Sequence, residues 1–117
     1  MNNKNHEKRE IKIYGDYFWK FYNQLNSKVQ LKIDWTIELI RTTRIVPIKF
    51  FKKLKNTNEL WEIRVEANKG IYRIFCFFDN GNLIILLNGF QKKTKKTPKK
   101  EIKRAEKLKK EYYENKQ

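Results

Sequence analysis

Apolar and polar positions alternate most regularly between residues 60 and 90. Trp61, Ile63, Val65 and Ala67 fall on one side, and Glu62, Arg64 and Glu66 on the other. This period of two marks a strand with one buried face. Asn68-Lys69-Gly70 then interrupts the pattern as a turn signal. In the next run Tyr72, Ile74, Cys76 and Phe78 share one face, and Ile71, Arg73, Phe75 and Phe77 the other. Asp79-Asn80-Gly81-Asn82 follows, and its Asn-Gly pair suits a hairpin turn with positive φ at both central residues. Residues 83–87 are continuously apolar, as expected of a strand covered on both faces. The pattern predicts a three-stranded antiparallel meander.

The flanking segments read as a short strand and helices. Ile11 and Ile13 alternate around Lys12 and stop at Gly15. Asp16 is placed to cap a helix reaching about Leu25, rich in aromatic residues from Tyr17 to Tyr22. Residues 27–43 fit a strand or a helix. Length decides for helix, because eleven alternating residues exceed an ordinary strand. Ser27 with Gln30 also forms a capping-box signature. That helix carries two apolar stripes: Val29, Ile33, Ile37 and Ile40, and then Leu31, Trp35 and Leu39. One stripe can cover the sheet; the other needs the aromatic helix or a partner protein. Pro47 ends the helix, and residues 48–54 are short and amphipathic. Thr97-Pro98 reads as an N-cap followed by proline at the first helical position. Ile102, Ala105, Leu108 and Tyr112 give the last helix one narrow apolar stripe.

At 117 residues the chain is the length of one domain, here residues 11–117 behind a flexible tail, 1–10. Its formal net charge is +15. Charge of that size concerns partners, not fold: nucleic acid first, an acidic protein second, an anionic membrane surface third. The excess is uneven. Residues 92–117 hold twelve basic and four acidic residues, with six lysines between residues 92 and 100. The single cysteine, Cys76, excludes a disulfide framework and a paired-cysteine metal site. No apolar stretch reaches the roughly 18 to 20 residues of a membrane helix, and residues 1–10 carry no signal-peptide core. A cytoplasmic location, no membrane partner and no cofactor are expected.

The candidate chemistry is narrowed by what is missing. The sequence holds no Gly-rich phosphate loop, serine elbow, HExxH or paired Cys or His ligands. His6, the only histidine, lies in the expected tail, where a base cannot be held within hydrogen-bond reach of a substrate. Arg, Lys, Glu, Asp and Tyr remain. RNA cleavage needs little more, because RNA supplies its own nucleophile, the 2′-hydroxyl. Attack on the adjacent phosphate builds negative charge that fixed cations stabilise. Arg64 and Arg73 each interrupt an apolar strand. They either meet on one sheet face to hold phosphate or pair with Glu62 and Glu66 on a solvated face. The lysine run either contacts phosphates or forms a solvated loop.

The segments WEIRV, GIYRIFCFF and LIILLNGFQKKTKKTPKKEIKRA resemble the RelE/ParE toxin superfamily, in its HigB-like, phage-derived branch. The resemblance covers residues 60 to about 110. It implies an α+β fold of the RelE-like, microbial-ribonuclease type: a curved antiparallel sheet with helices on one face and a C-terminal helix. It also implies the toxin of a type II toxin–antitoxin pair, a metal-independent, ribosome-dependent mRNA endonuclease, partnered by a helix-turn-helix antitoxin, the ribosome and mRNA. By the same resemblance Arg64, Arg73, Lys92 and Lys93 are the catalytic cations, with Lys95, Lys96, Lys99 and Lys100 binding RNA or ribosome. The family often ends in a tyrosine or histidine near the site. Here Thr94 and Thr97 stand there, Tyr112 and Tyr113 lie further along, and Glu62 or Glu66 is left as a proton-transfer group. A ParE-like inhibitor of DNA gyrase and a non-catalytic basic nucleic-acid-binding module are the alternatives.

Overall fold

A computed structural model describes residues 8–96 and 98–116. The fold is α+β, consistent with the RelE-like architecture expected. Five strands, β1 (Glu10–Ile13), β2 (Phe51–Lys53), β3 (Trp61–Ala67), β4 (Gly70–Phe78) and β5 (Leu83–Lys92), form one sheet in the order β1-β5-β4-β3-β2. Three helices accompany it: α1 (Tyr17–Tyr22), α2 (Ser27–Thr42) and α3 (Lys99–Asn115).

The expected meander is β3-β4-β5, antiparallel throughout. Asn80 and Gly81 both take positive φ, at 64° and 71°, as the Asn-Gly turn requires. In the β3–β4 turn the positive-φ residues are Asn68 and Lys69, and Gly70 is already in β4. The sheet is mixed rather than wholly antiparallel, because β1 runs parallel to β5. The two helices between β1 and β2 carry the chain across the sheet, so those strands end at opposite edges. A register shift between Ile74 and Cys76 sets Leu87 and Asn88 of β5 opposite the single residue Phe75, a bulge in β5 that locally bends the strand and increases its twist.

Strand alternation divides the interior in two. On one face Ile63, Val65, Tyr72, Ile74, Cys76, Ile84 and Leu86 pack with Phe18 and Phe21 of α1 and Val29, Ile33 and Ile40 of α2. On the other, Phe75, Phe77, Ile85 and Leu87 pack with Ala105 and Leu108 of α3. Each fully buried side chain of this size contributes about 1.5–3 kcal/mol. The double-sided cover explains the unbroken apolar run in β5. Burial in the first cluster also pushes the Cys76 thiol well above its ordinary pKa, so it stays protonated.

The helix starts fall within one residue of the expected ones. Asp16 is at the start of α1, but with φ −112° and ψ 11° its side chain makes no capping bond and instead reaches Lys20 at 3.3 Å. The helix stops at Tyr22, three residues short. The cap of α2 is Asn26, whose side chain accepts from Val29 N at 3.0 Å. Ser27 is the first helical residue, and Gln30 donates to the Tyr22 carbonyl at 2.8 Å. Pro98 is the N-cap of α3, in an extended conformation, and Lys99 opens the helix; Thr97 lies outside the described residues. Most of the expected tail, with His6, is also outside them. Of its last residues, Glu10 begins β1, and Arg9 donates to the carbonyls of Ile40, Thr43 and Arg44 at 2.6–2.9 Å.

Candidate nucleic-acid interface

Three successive rungs of the α3-side face carry the charged groups. Lys52 faces Glu62, which faces Phe75. Next, Arg64 faces Arg73, which faces Phe90. Then Glu66 faces Ile71, which faces Lys92. Arg64, Arg73 and Lys92 therefore project from one side of the sheet, beyond the apolar surface that α3 covers.

Two directly opposed arginines repel, and a glutamate offsets each. Arg73 Nη1 donates to Glu62 Oε2; Arg73 is 7% exposed and Glu62 is fully buried. Arg64 Nη2 donates to Glu66 Oε2 at 2.9 Å, with Arg64 half-buried and Glu66 exposed. The structure combines part of each arrangement left open by the sequence. The glutamates pair with the arginines, and the cations still share one face. Buried Glu62 Oε1 and Arg73 Nε make no hydrogen bond among the described residues.

Lys92 is half-buried and lines an open pocket with Ile71, Lys93, Thr94 and Lys95. Its ammonium is held below the ordinary lysine pKa, by partial burial first and then by repulsion from Arg73, Arg64 and Lys52, with Glu62 opposing. Lys93, Lys95 and Lys96 stand exposed on the loop after β5, where Thr94 Oγ1 donates to the Lys96 carbonyl at 3.0 Å. Lys99 and Lys100 occupy the first turn of α3, both exposed. Asn88 of β5 fixes that turn by donating to Glu101 Oε1 at 3.1 Å. Lysines at a helix N-terminus oppose the helix dipole. They cost stability in the free protein and add to the anion attraction of the unpaired backbone N–H groups.

Other residues considered for the site are placed elsewhere or engaged. Tyr112 and Tyr113 donate to Asp79, at 2.6 and 3.2 Å, at the far end of β4. Glu62 is buried against Arg73, so it does not face an open proton-transfer position. Lys52 was not singled out from the sequence. Phe51 beside it is buried on the opposite face, and a three-residue strand is too short to show a period.

An α+β sheet with a RelE-like arrangement and one cationic face defines the class. The family model described as phage derived protein Gp49-like (DUF891) matches residues 20–110. The chain belongs to that family, one of RelE/HigB-type toxins. Membership is consistent with a toxin of a toxin–antitoxin system and implies an antitoxin partner. No curated protein matches the chain at a significant level. Among the described residues no helix is long and apolar enough to cross a membrane.

Proposed function

We propose that the chain is the toxin of a type II toxin–antitoxin pair and cleaves mRNA on the ribosome without a metal. The observation that carries this reading is the meeting of Arg64, Arg73 and Lys92 on one sheet face, next to the exposed lysines of the following loop. In the proposed reaction the 2′-oxygen attacks the adjacent phosphorus and the bond to the 5′-oxygen breaks. Neutral Lys92 takes the 2′-hydroxyl proton, and Lys93 returns a proton to the leaving oxygen. The products are a 2′,3′-cyclic phosphate and a 5′-hydroxyl. Arg64 and Arg73 stabilise the charge that develops on the phosphoryl oxygens. Lys95, Lys96, Lys99 and Lys100 hold the flanking phosphates or ribosomal RNA. The proposed antitoxin is a helix-turn-helix protein with an acidic surface complementary to the toxin's charge of +15.

The test is in vitro translation with primer extension across the message, comparing wild type with Arg64→Ala and Lys92→Met. Each loss should slow cleavage by roughly 10²–10³-fold. Wild-type cleavage in both variants would show that the site is wrongly assigned. Inhibited DNA supercoiling with intact message would turn the reading to gyrase.

A further inference from the structure

We infer that an open pocket at the outer edge of β5 holds one unpaired nucleobase of the bound RNA. The inference rests on the RNA-cleaving reading above and adds a base subsite to it. β1 pairs with β5 only as far as Leu86. Beyond it the outer edge of β5 has no neighbouring strand among the described residues. Residues of α1 and of the turn that follows it stand there instead, leaving a pocket of about 410 Å³.

The lining sorts by chemistry. Phe21, Leu25 and Phe90 are apolar, Gln24 and Gln91 bring carboxamides, and Lys93 is the one charged residue of the set. No carboxylate lines it. A carboxamide presents a donor beside an acceptor, the pattern on a base edge, whereas phosphate offers acceptors alone. Unpaired bases in RNA are held by stacking on aromatic rings and by hydrogen bonds to their edges. A Cβ added at Gly70 would meet Gln91 Nε2 at 3.1 Å, so the Gln91 amide reaches over β4 here and turns toward the outer edge to meet a base. At Gly89 an added Cβ would stand 2.5 Å from the Phe21 ring, so only glycine lets that ring approach the strand.

Position ties the pocket to the cationic face. Lys93 lines both this pocket and the one formed by Ile71, Lys92, Thr94 and Lys95. A nucleotide with its phosphate in the lysine pocket can turn its base around the β5 edge. Phosphate contacts then set register and the amide pocket reads the base, the usual division of labour in such interfaces.

The test uses the purified full chain and short RNAs made uncleavable by 2′-O-methyl ribose, with a single abasic residue moved along the strand. Binding is read by fluorescence anisotropy. In wild type one abasic position should weaken binding by about 10-fold and the others little, as losing one stacked base would. In Gln24→Ala with Gln91→Ala that dependence on position should shrink to about threefold or less. Wild-type binding that ignores the abasic position overturns the base subsite and leaves the phosphate contacts standing. An undiminished dependence in the glutamine variant also overturns it. Absence of any RNA binding overturns this inference, whereas the reading on which it rests is overturned separately, by a message left intact during in vitro translation.

Discussion

Arg64 and Arg73 look equivalent in the sequence, each a guanidinium set into an apolar strand, yet their energetics differ. The Arg73 side chain is 8% exposed against a fully buried Glu62, whereas Arg64 is 29% exposed against a Glu66 that is 63% exposed. Removing one member of a buried pair strands the other charge, so Arg73→Ala should cost about 3–5 kcal/mol in urea unfolding. Replacing both, as Glu62→Leu with Arg73→Met, should recover most of that loss. Arg64→Ala, which breaks a surface pair, should cost about 1 kcal/mol or less. Equal stability of the two single alanine variants would refute the distinction. The same difference makes Arg64 and Lys92 cleaner probes of cleavage than Arg73. The register that pairs Arg64 with Arg73 put both on one face; alternation in β3 and β4 set only the side of its own strand on which each one falls. It carried no information about depth, which depends on side chains from neighbouring strands. Lys92 adds a test by pH. Its proton is held more weakly than an ordinary lysine's, so the neutral base forms at lower pH. A cleavage profile governed by Lys92 should rise with pH to a midpoint below about 10.4. Lys52→Gln removes one repelling charge and should move that midpoint upward; no upward shift would dissociate Lys52 from the site. For stability the sign is opposite to that of a paired lysine. The folded pKa is depressed, so Lys92 disfavours folding while it is charged, and the penalty fades as pH rises past the folded value.

At the scale of elements, the two stripes of α2 were both visible from spacing, but only one found a place in the core. Val29, Ile33 and Ile40 are fully buried, while Leu31 is 67% exposed and Trp35 50% exposed. Ile33→Ala should therefore cost about 2–5 kcal/mol, and Leu31→Ala only about 0.5 kcal/mol, by denaturant titration. Large losses at both positions would mean that the outer stripe is covered in solution. The helix starts were legible only to within a residue, for a local reason. Asn26 and Ser27 are both capping types, and the choice fell to Asn26 because its backbone is extended while Gln30 is drawn to the Tyr22 carbonyl. The far end of α3 is tied to the β4–β5 turn by a contact between residues more than thirty positions apart, which no pattern announces. Asp79 accepts from Tyr112, Tyr113 and Lys116. The Tyr112 bond, then the Lys116 bond, hold its carboxyl below the usual range. Burial, then the bond to Asp79, raise the Tyr112 phenol to about 12. The carboxylate's contribution is present above about pH 4 and lost as pH falls through its depressed folded pKa. The phenol's is present below about pH 10 and lost toward about 12. Amide-exchange protection over residues 108–116, taken relative to the intrinsic rate at each pH, should fall at both extremes, and Tyr112→Phe should shrink the alkaline limb. Unchanged protection across that range would show that the latch is not holding the helix.

Over the whole molecule, charge and apolar surface are sorted by the sheet. One face is closed by α1 and α2. The other is closed by α3 only in part, and its open end carries Arg64, Arg73 and Lys92 with the lysine loop beside them. The three rungs lie within a few residues of the strand ends, so the lysines after β5 and at the start of α3 extend the cationic face rather than form a separate patch. Such a surface should bind single-stranded RNA with a salt dependence set by the number of phosphates engaged. Six cationic contacts, from Arg64, Arg73, Lys95, Lys96, Lys99 and Lys100, give a slope of log K against log salt of about −4. Lys95→Gln with Lys96→Gln removes two of them and should shallow the slope by about 1.4, while the ordering of affinities among RNAs of different base sequence stays the same. The two quantities separate the roles of the loop and the β5-edge pocket, because phosphate contacts weaken all sequences alike and base contacts do not. A slope unaffected by that double replacement would mean that the loop lysines face solvent, and that the phosphate chain runs elsewhere on the molecule.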